Sequence, residues 1–160
     1  GWAPYFAAQF PGKPYVGRGI SGQTTPQMLI RFRQDVVALK PAVVVIELGG
    51  NDALRGLSLD MTEANLAAMV QAARRSGAQV LLAGMQMPPN YGADYGRRFA
   101  ALFASVAKAG GAALVPFLLA GVADRPDAAR LFQPDRIHPT AAAHPIILAN
   151  VWPTLQKVLK

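Results

Sequence analysis

Three short apolar runs, separated by stretches with helical periodicity, constrain this chain more than any other feature of it. Val43-Val44-Val45-Ile46 is β-branched throughout and bounded by Pro41 and Gly49-Gly50. A short run without polar alternation reads as a strand buried on both faces. Val80-Leu81-Leu82 and Ala113-Leu114-Val115 repeat the pattern, and Tyr15-Val16 reads as a further short strand, which predicts four strands. Between them, Pro26 behind Thr25 opens a helix whose stripe is Leu29, Phe32, Val36 and Leu39. Asp60 and Glu63 resemble a capping box for a helix ending near Ser76-Gly77. Phe99, Leu102, Phe103 and Val106 mark a third helix, and Ile146 to Leu159 a fourth. Strands alternating with helices need right-handed crossovers, hence a parallel sheet covered on both faces. Met85 to Asp94, with two prolines and a glycine, reads as the one long irregular stretch.

The chain has 160 residues, 52% of them hydrophobic and 16% charged. That suits one domain, 1–160, and a core that needs no disulfide or structural metal. The net charge of +7 is dispersed. Its tight groups, Arg31/Arg33, Arg74/Arg75 and Arg97/Arg98, fall in helical stretches and read as solvated faces rather than a nucleic-acid site. The absence of cysteine excludes thiol catalysis, thiolate metal sites and disulfides. No apolar run approaches the ~18 residues of a membrane span, so no stable membrane insertion is expected. Gly1 opens the chain without a start methionine or a signal pattern, and the sequence reads as an interior piece of a longer precursor. Composition does not indicate compartment or oligomeric state.

In parallel sheets ligands bind beyond the carboxyl ends of the strands, so the residues following each strand are the candidates for chemistry. Asp135 stands three residues before His138 in a proline-bounded loop, where a carboxylate can fix the imidazole tautomer and activate a hydroxyl. The same spacing also describes an ordinary surface pair. His144 falls on the last helix and packs or faces solvent; a metal site from Asp135, His138 and His144 lacks a supporting acidic cluster. Gly49-Gly50-Asn51-Asp52 offers close backbone approach and a neutral amide donor for an oxyanion, or simply a tight turn. Gly17 to Gly22 matches G-x-G-x-x-G, yet Thr25-Pro26 delays the helix whose N-terminus would meet a pyrophosphate. Glu47, the candidate ribose acid, runs straight into Gly49-Gly50. Ser21 resembles a nucleophile elbow except that Gln23 stands where the second glycine belongs, which favours Gly22 as a backbone N–H donor.

Together these blocks resemble the SGNH, or GDSL, hydrolases, in particular the bacterial thioesterase I, lysophospholipase and arylesterase branch, over nearly the whole chain. Gly22 in Ile20-Ser21-Gly22-Gln23-Thr24 is similar to the family's oxyanion glycine, and Asn51 in Gly49-Gly50-Asn51-Asp52 to its oxyanion asparagine. Asp135-Arg136-Ile137-His138-Pro139 is similar to the D-x-x-H-P block, and Pro88-Pro89-Asn90-Tyr91-Gly92 to the branch's mobile substrate loop. The Gly-Asp-Ser block carrying the nucleophile is absent: Ser21, Ser58, Ser76 and Ser105 do not follow a Gly-Asp pair. Gly1-Trp2 resembles the pair found shortly after that block, so the nucleophilic serine is expected ahead of Gly1.

The resemblance implies a three-layer α/β/α sandwich with a flavodoxin-like parallel sheet whose first strand this chain lacks. An unfilled central place would leave backbone groups unpaired at about 1 kcal/mol or more each. The implied activity is hydrolysis of short- to medium-chain acyl or aryl carboxylic esters, with thioesters and lysophospholipids as relatives' substrates. Asp135 and His138 would act as orienter and base, and Gly22 and Asn51 as oxyanion donors. Gly50, Leu54, Met87, Pro88, Tyr91 and Ile137 would line the substrate groove. The implied partner is a small-molecule ester, no cofactor is needed, and relatives are often periplasmic or secreted. A catalytically incomplete binding module of the same fold, or a nucleotide-binding α/β protein, are the alternatives.

Overall fold

The computed structural model describes residues 2–159. Three parallel strands, β1 (Val43–Ile46), β2 (Gln79–Ala83) and β3 (Ala113–Val115), lie side by side in chain order. Val43 aligns with Gln79 and Ile46 with Leu82 across the first pair; Leu81 aligns with Ala113 across the second. Among the described residues six helices accompany them: α1 (Trp2–Gln9), α2 (Thr25–Asp35), α3 (Gly50–Leu54), α4 (Leu59–Arg75), α5 (Ala93–Gly110) and α6 (His144–Val158).

Side chains alternate across a strand, and here each face has its own core. Val44, Ile46, Val80 and Leu82 pack with Phe32 of α2, Leu66, Met69 and Val70 of α4, and Phe99 and Phe103 of α5. Leu81, Ala83 and Val115 pack with Trp2 and Phe6 of α1 and with Ile147, Val151 and Leu155 of α6. The helix-covered parallel sheet expected from the alternating pattern is therefore present. On the α1–α6 side the aromatic rings continue the contact: Phe10 stacks on Trp152 with centroids 4.6 Å apart.

Several expectations need correction. Tyr15-Val16 is not a strand among the described residues; both side chains are exposed and the segment pairs with no neighbour, so the sheet has three strands, not four. A strand exists only through the ladder it joins, which local β propensity does not supply. The helix over residues 2–9 was not foreseen, although Trp2 and Phe6 stand one turn apart on its buried side. Leu39 is exposed, because α2 stops at Asp35 and only a 3₁₀ turn follows. α4 is capped by Ser58, whose hydroxyl accepts from the Met61 N–H at 3.3 Å, rather than by Asp60. Residues 116–143, between β3 and α6, hold only 3₁₀ turns and one isolated bridge, so Met85–Asp94 is not the one long irregular stretch. Pro116, Gly121, Pro126, Pro134 and Pro139 break any regular element there. Gly1 of the Gly1-Trp2 pair lies outside the described residues.

Candidate active site

Because β1, β2 and β3 are parallel, the segments that follow them all leave the same edge of the sheet. Gly49 bends the chain after β1 with φ of +117°, and a Cβ there would press on Phe103 Cζ at 3.4 Å and Thr62 Cγ2 at 3.5 Å. The chain then enters α3, a single short helix beginning Gly50-Asn51-Asp52.

Asp52 organises what surrounds it. The side chain is fully buried and accepts from the Thr25 N–H at 2.7 Å, from the Thr25 hydroxyl, and from the Thr62 hydroxyl at 2.9 Å. Asn65 Nδ2 donates to Thr25 Oγ1 at 3.1 Å, closing a network that joins α2, α3 and α4. A buried charge persists only when it is paired or fully hydrogen-bonded, and this one is held by donors from two other helices. It also occupies the start of α2, the helix end a pyrophosphate would need, which speaks against the dinucleotide reading of Gly17–Gly22.

The Gly22 turn is brought to α3 by two bonds. Gln23 N–H reaches Ile20 O at 3.1 Å, placing Gly22, with φ of +77°, third in a β-turn where positive φ suits glycine. Asn51 Nδ2 donates to Gln23 O at 3.1 Å, and Arg55 Nη2 donates to Gly22 O at 2.9 Å. The structure thus places Gly22 and Asn51 side by side, 29 residues apart in sequence. Asn51 has a second amide hydrogen left for another acceptor.

Asp135 and His138 lie in the long segment after β3. Phe132 bridges Pro139, Gln133 N–H bonds His138 O at 2.7 Å, and Arg136 takes a positive φ of 58° at the tip. Asp135 Oδ2 meets His138 Nδ1 at 2.6 Å, while Oδ1 accepts from the N–H groups of Ile137 at 2.9 Å and His138 at 3.0 Å. The His138 N–H, the His138 ring and the Ile137 N–H, in that order, lower the Asp135 pKa from 3.8 to about 2. With Nδ1 bound to the carboxylate, Nε2 is the ring nitrogen left for proton transfer. Upstream in the same segment, Asn150 Nδ2 of α6 holds Leu118 O at 2.9 Å and Ala120 O at 2.7 Å.

The expected groove residues divide by exposure. Leu54, Pro88, Tyr91 and Ile137 are exposed, whereas Gly50 is half-buried and Met87 packs partly into the α2–α4–α5 core. His144 starts α6 beside Tyr5, and desolvation lowers its pKa. Among the described residues no group of three or more His, Asp or Glu side chains converges as metal ligands would. Glu47 accepts from Trp2 Nε1 at 2.8 Å. Desolvation of its carboxylate raises its pKa against that bond. An open groove of about 430 Å³ runs between Gly17–Ile20 and Arg31, Gln34 and Asp35 of α2 with Leu39 of the following turn, but contains none of Gly22, Asn51, Asp135 and His138.

Sequence reasoning missed the buried role of Asp52, Thr25 and Thr62, and the contacts of Arg55 and of Tyr95, whose hydroxyl reaches Ala53 O at 3.2 Å. One signal was available: Thr62 is the polar member of a stripe otherwise made of Leu59, Leu66, Met69 and Val70.

Residues 1–146 match the model of the GDSL-like lipase/acylhydrolase family. Esterase TesA of Pseudomonas aeruginosa is 44% identical over 99% of this chain and 80% of its own length. Thioesterase 1/protease 1/lysophospholipase L1 of Escherichia coli is 36% identical over 82% of this chain and 62% of its own. A crystal structure of the psychrotrophic esterase EstA from Pseudoalteromonas, inhibited by monoethylphosphonate, superposes with a TM-score of 0.89 at 29% identity, covering 99% of this chain and 87% of that one. No helix among the described residues is long and apolar enough to cross a membrane. Fold, sequence and the match along nearly the whole chain lead to one conclusion: the chain belongs to the GDSL-like lipase/acylhydrolase family of SGNH carboxylic ester hydrolases.

Proposed function

We propose that residues 1–160 belong to one catalytic domain that hydrolyses short- to medium-chain acyl or aryl esters through an acyl-enzyme, with His138 as base and Asp135 as its orienter. The observation that carries this reading is the 2.6 Å contact between Asp135 Oδ2 and His138 Nδ1, which leaves Nε2 free to take a hydroxyl proton. The nucleophile of this reading is a serine of the Gly-Asp-Ser type, a block that residues 1–160 do not contain. Its oxygen attacks the ester carbonyl as Nε2 accepts its proton, and the proton passes to the departing alcohol. Water, deprotonated at the same nitrogen, then releases the acid. Gly22 N–H and the Asn51 amide hold the oxyanion, where loss of one donor typically costs ~10²–10³ in rate.

Substrate class follows from the rim. Leu54, Pro88, Tyr91 and Ile137 offer exposed apolar surface, and the half-buried Met87 and Gly50 stand deeper. Apolar, conformationally soft walls suit acyl and aryl groups without selecting one length sharply. Esterase TesA and the Escherichia coli thioesterase 1 support the class by name.

His138→Ala should remove essentially all hydrolysis of an aryl butyrate, whereas His144→Ala should leave most of it. Equal losses in two folded variants would replace this dyad with a paired-histidine site. Ser21, exposed beside Gly22, is the competing nucleophile. Turnover by protein of defined N-terminus that disappears in Ser21→Ala would move the nucleophile there.

A further inference from the structure

Besides Asn51, one side chain grips the backbone of the turn that carries Gly22, and no role has been assigned to it. Arg55 follows α3 directly and donates from Nη2 to Gly22 O at 2.9 Å. Among the described residues its guanidinium makes no other hydrogen bond and no ion pair, so a long, mobile side chain is committed to one backbone carbonyl. Asn51 stands four residues earlier and therefore on the same side of the helix, where it holds the next carbonyl, Gln23 O, at 3.1 Å. Two successive peptides of the turn are thus pinned from one helix. The pinned residue is a glycine at φ of +77°. Glycine takes either sign of φ readily, so the direction of its N–H depends on what holds its neighbours.

We propose that Arg55 is a positioning residue for ester hydrolysis: by clamping Gly22 O it keeps the Gly22 N–H aimed at the developing oxyanion. It acts through Gly22 and does not touch the substrate. The proposal rests on the reading of Gly22 and Asn51 as oxyanion donors. Donors must sit about 2.7–3.1 Å from the oxyanion, and misplacement by ~1 Å can cost ~10²-fold. Loosening one carbonyl displaces the donor by less than that, so a loss of about tenfold is expected. The ground-state ester, whose carbonyl carries little charge, should bind nearly as before.

The test compares Arg55→Ala, Arg55→Lys and Asn51→Ala in active enzyme on an aryl butyrate, with kcat and KM separated and thermal unfolding recorded. Arg55→Ala should lower kcat about tenfold with KM changed less than about twofold. Its melting temperature should stay near that of the parent, because the side chain is exposed. Arg55→Lys should fall between the two, and guanidinium ion at millimolar concentration should restore part of the kcat of Arg55→Ala but none of that of Asn51→Ala. If Asn51→Ala loses kcat while Arg55→Ala does not, the oxyanion pocket stands and the clamp is wrong. If neither loses kcat, the pocket reading fails and takes the clamp with it. A rise confined to KM would make Arg55 a substrate contact, and lowered stability with unchanged kcat a structural prop; either overturns the proposal. Should Arg55→Ala not fold, kcat and KM of Arg55→Lys decide on the same terms.

Discussion

Removing the carboxylate of Asp52 should be the single change near the site most damaging to stability. The side chain is 0% exposed and accepts three hydrogen bonds. In Asp52→Ala the Thr25 N–H loses its acceptor inside the protein, which costs about 1–3 kcal/mol for a buried donor. The Thr25 hydroxyl loses its acceptor as well. The Thr62 hydroxyl is spared in part, since it can turn fully to Ser58 O at 3.2 Å. Hydrogen bonds to a charged acceptor contribute ~1.5–3 kcal/mol each, so with one of the three replaced the total comes to about 3–6 kcal/mol. That is a large share of the ~5–15 kcal/mol by which such domains are stable, and corresponds to a fall in melting temperature of roughly 10 °C. Asp52→Asn keeps the shape and an acceptor for the Thr25 N–H, while its amide donates to the hydroxyls, so about 1–2 kcal/mol is expected. Urea unfolding followed by circular dichroism measures both. A loss below about 1 kcal/mol for alanine, or equal losses for alanine and asparagine, would refute the account. Folded Asp52→Asn should also lose kcat, because Asn51 is the adjoining residue.

Asp135→Asn should lower kcat ~10²–10⁴-fold by permitting the wrong imidazole tautomer, measured as initial rates on an aryl ester. With a pKa depressed to about 2, Asp135 favours the folded loop above its ordinary value of 3.8, and that contribution is lost as pH falls through about 2. A carbon-13 titration of its carboxyl group should therefore show no transition between pH 3 and 5. Gly84→Ala should destabilise by an amount at or above the upper end of ~1–3 kcal/mol, measured by chemical denaturation. A Cβ there would run into Pro116 O, a backbone atom that cannot swing aside.

The strands and the main helices were legible because burial enforces periodicity. A strand covered on both faces must be apolar throughout, as Val43–Ile46 is, and a helix on a sheet must carry a stripe such as Phe99, Leu102, Phe103 and Val106. Asp135 and His138 were legible for a related reason: a contact across three residues is local, and the loop that makes it can be recognised from its own prolines. Tyr15-Val16 failed as a strand because pairing depends on a neighbour and not on its own residue types.

What the amino-acid order determined by itself is the local part: apolar runs, helix stripes, the His138–Asp135 spacing and the glycines that permit tight turns. Tertiary structure alone decided which distant residues meet. Asn51 and Arg55 reach the Gly22 turn, and Asp52 ties Thr25 to Thr62, across separations that no periodicity encodes. The physical reason is desolvation. A carboxylate or amide becomes a structural tie only once water has been excluded around it, and where that happens depends on how the helices pack against the sheet.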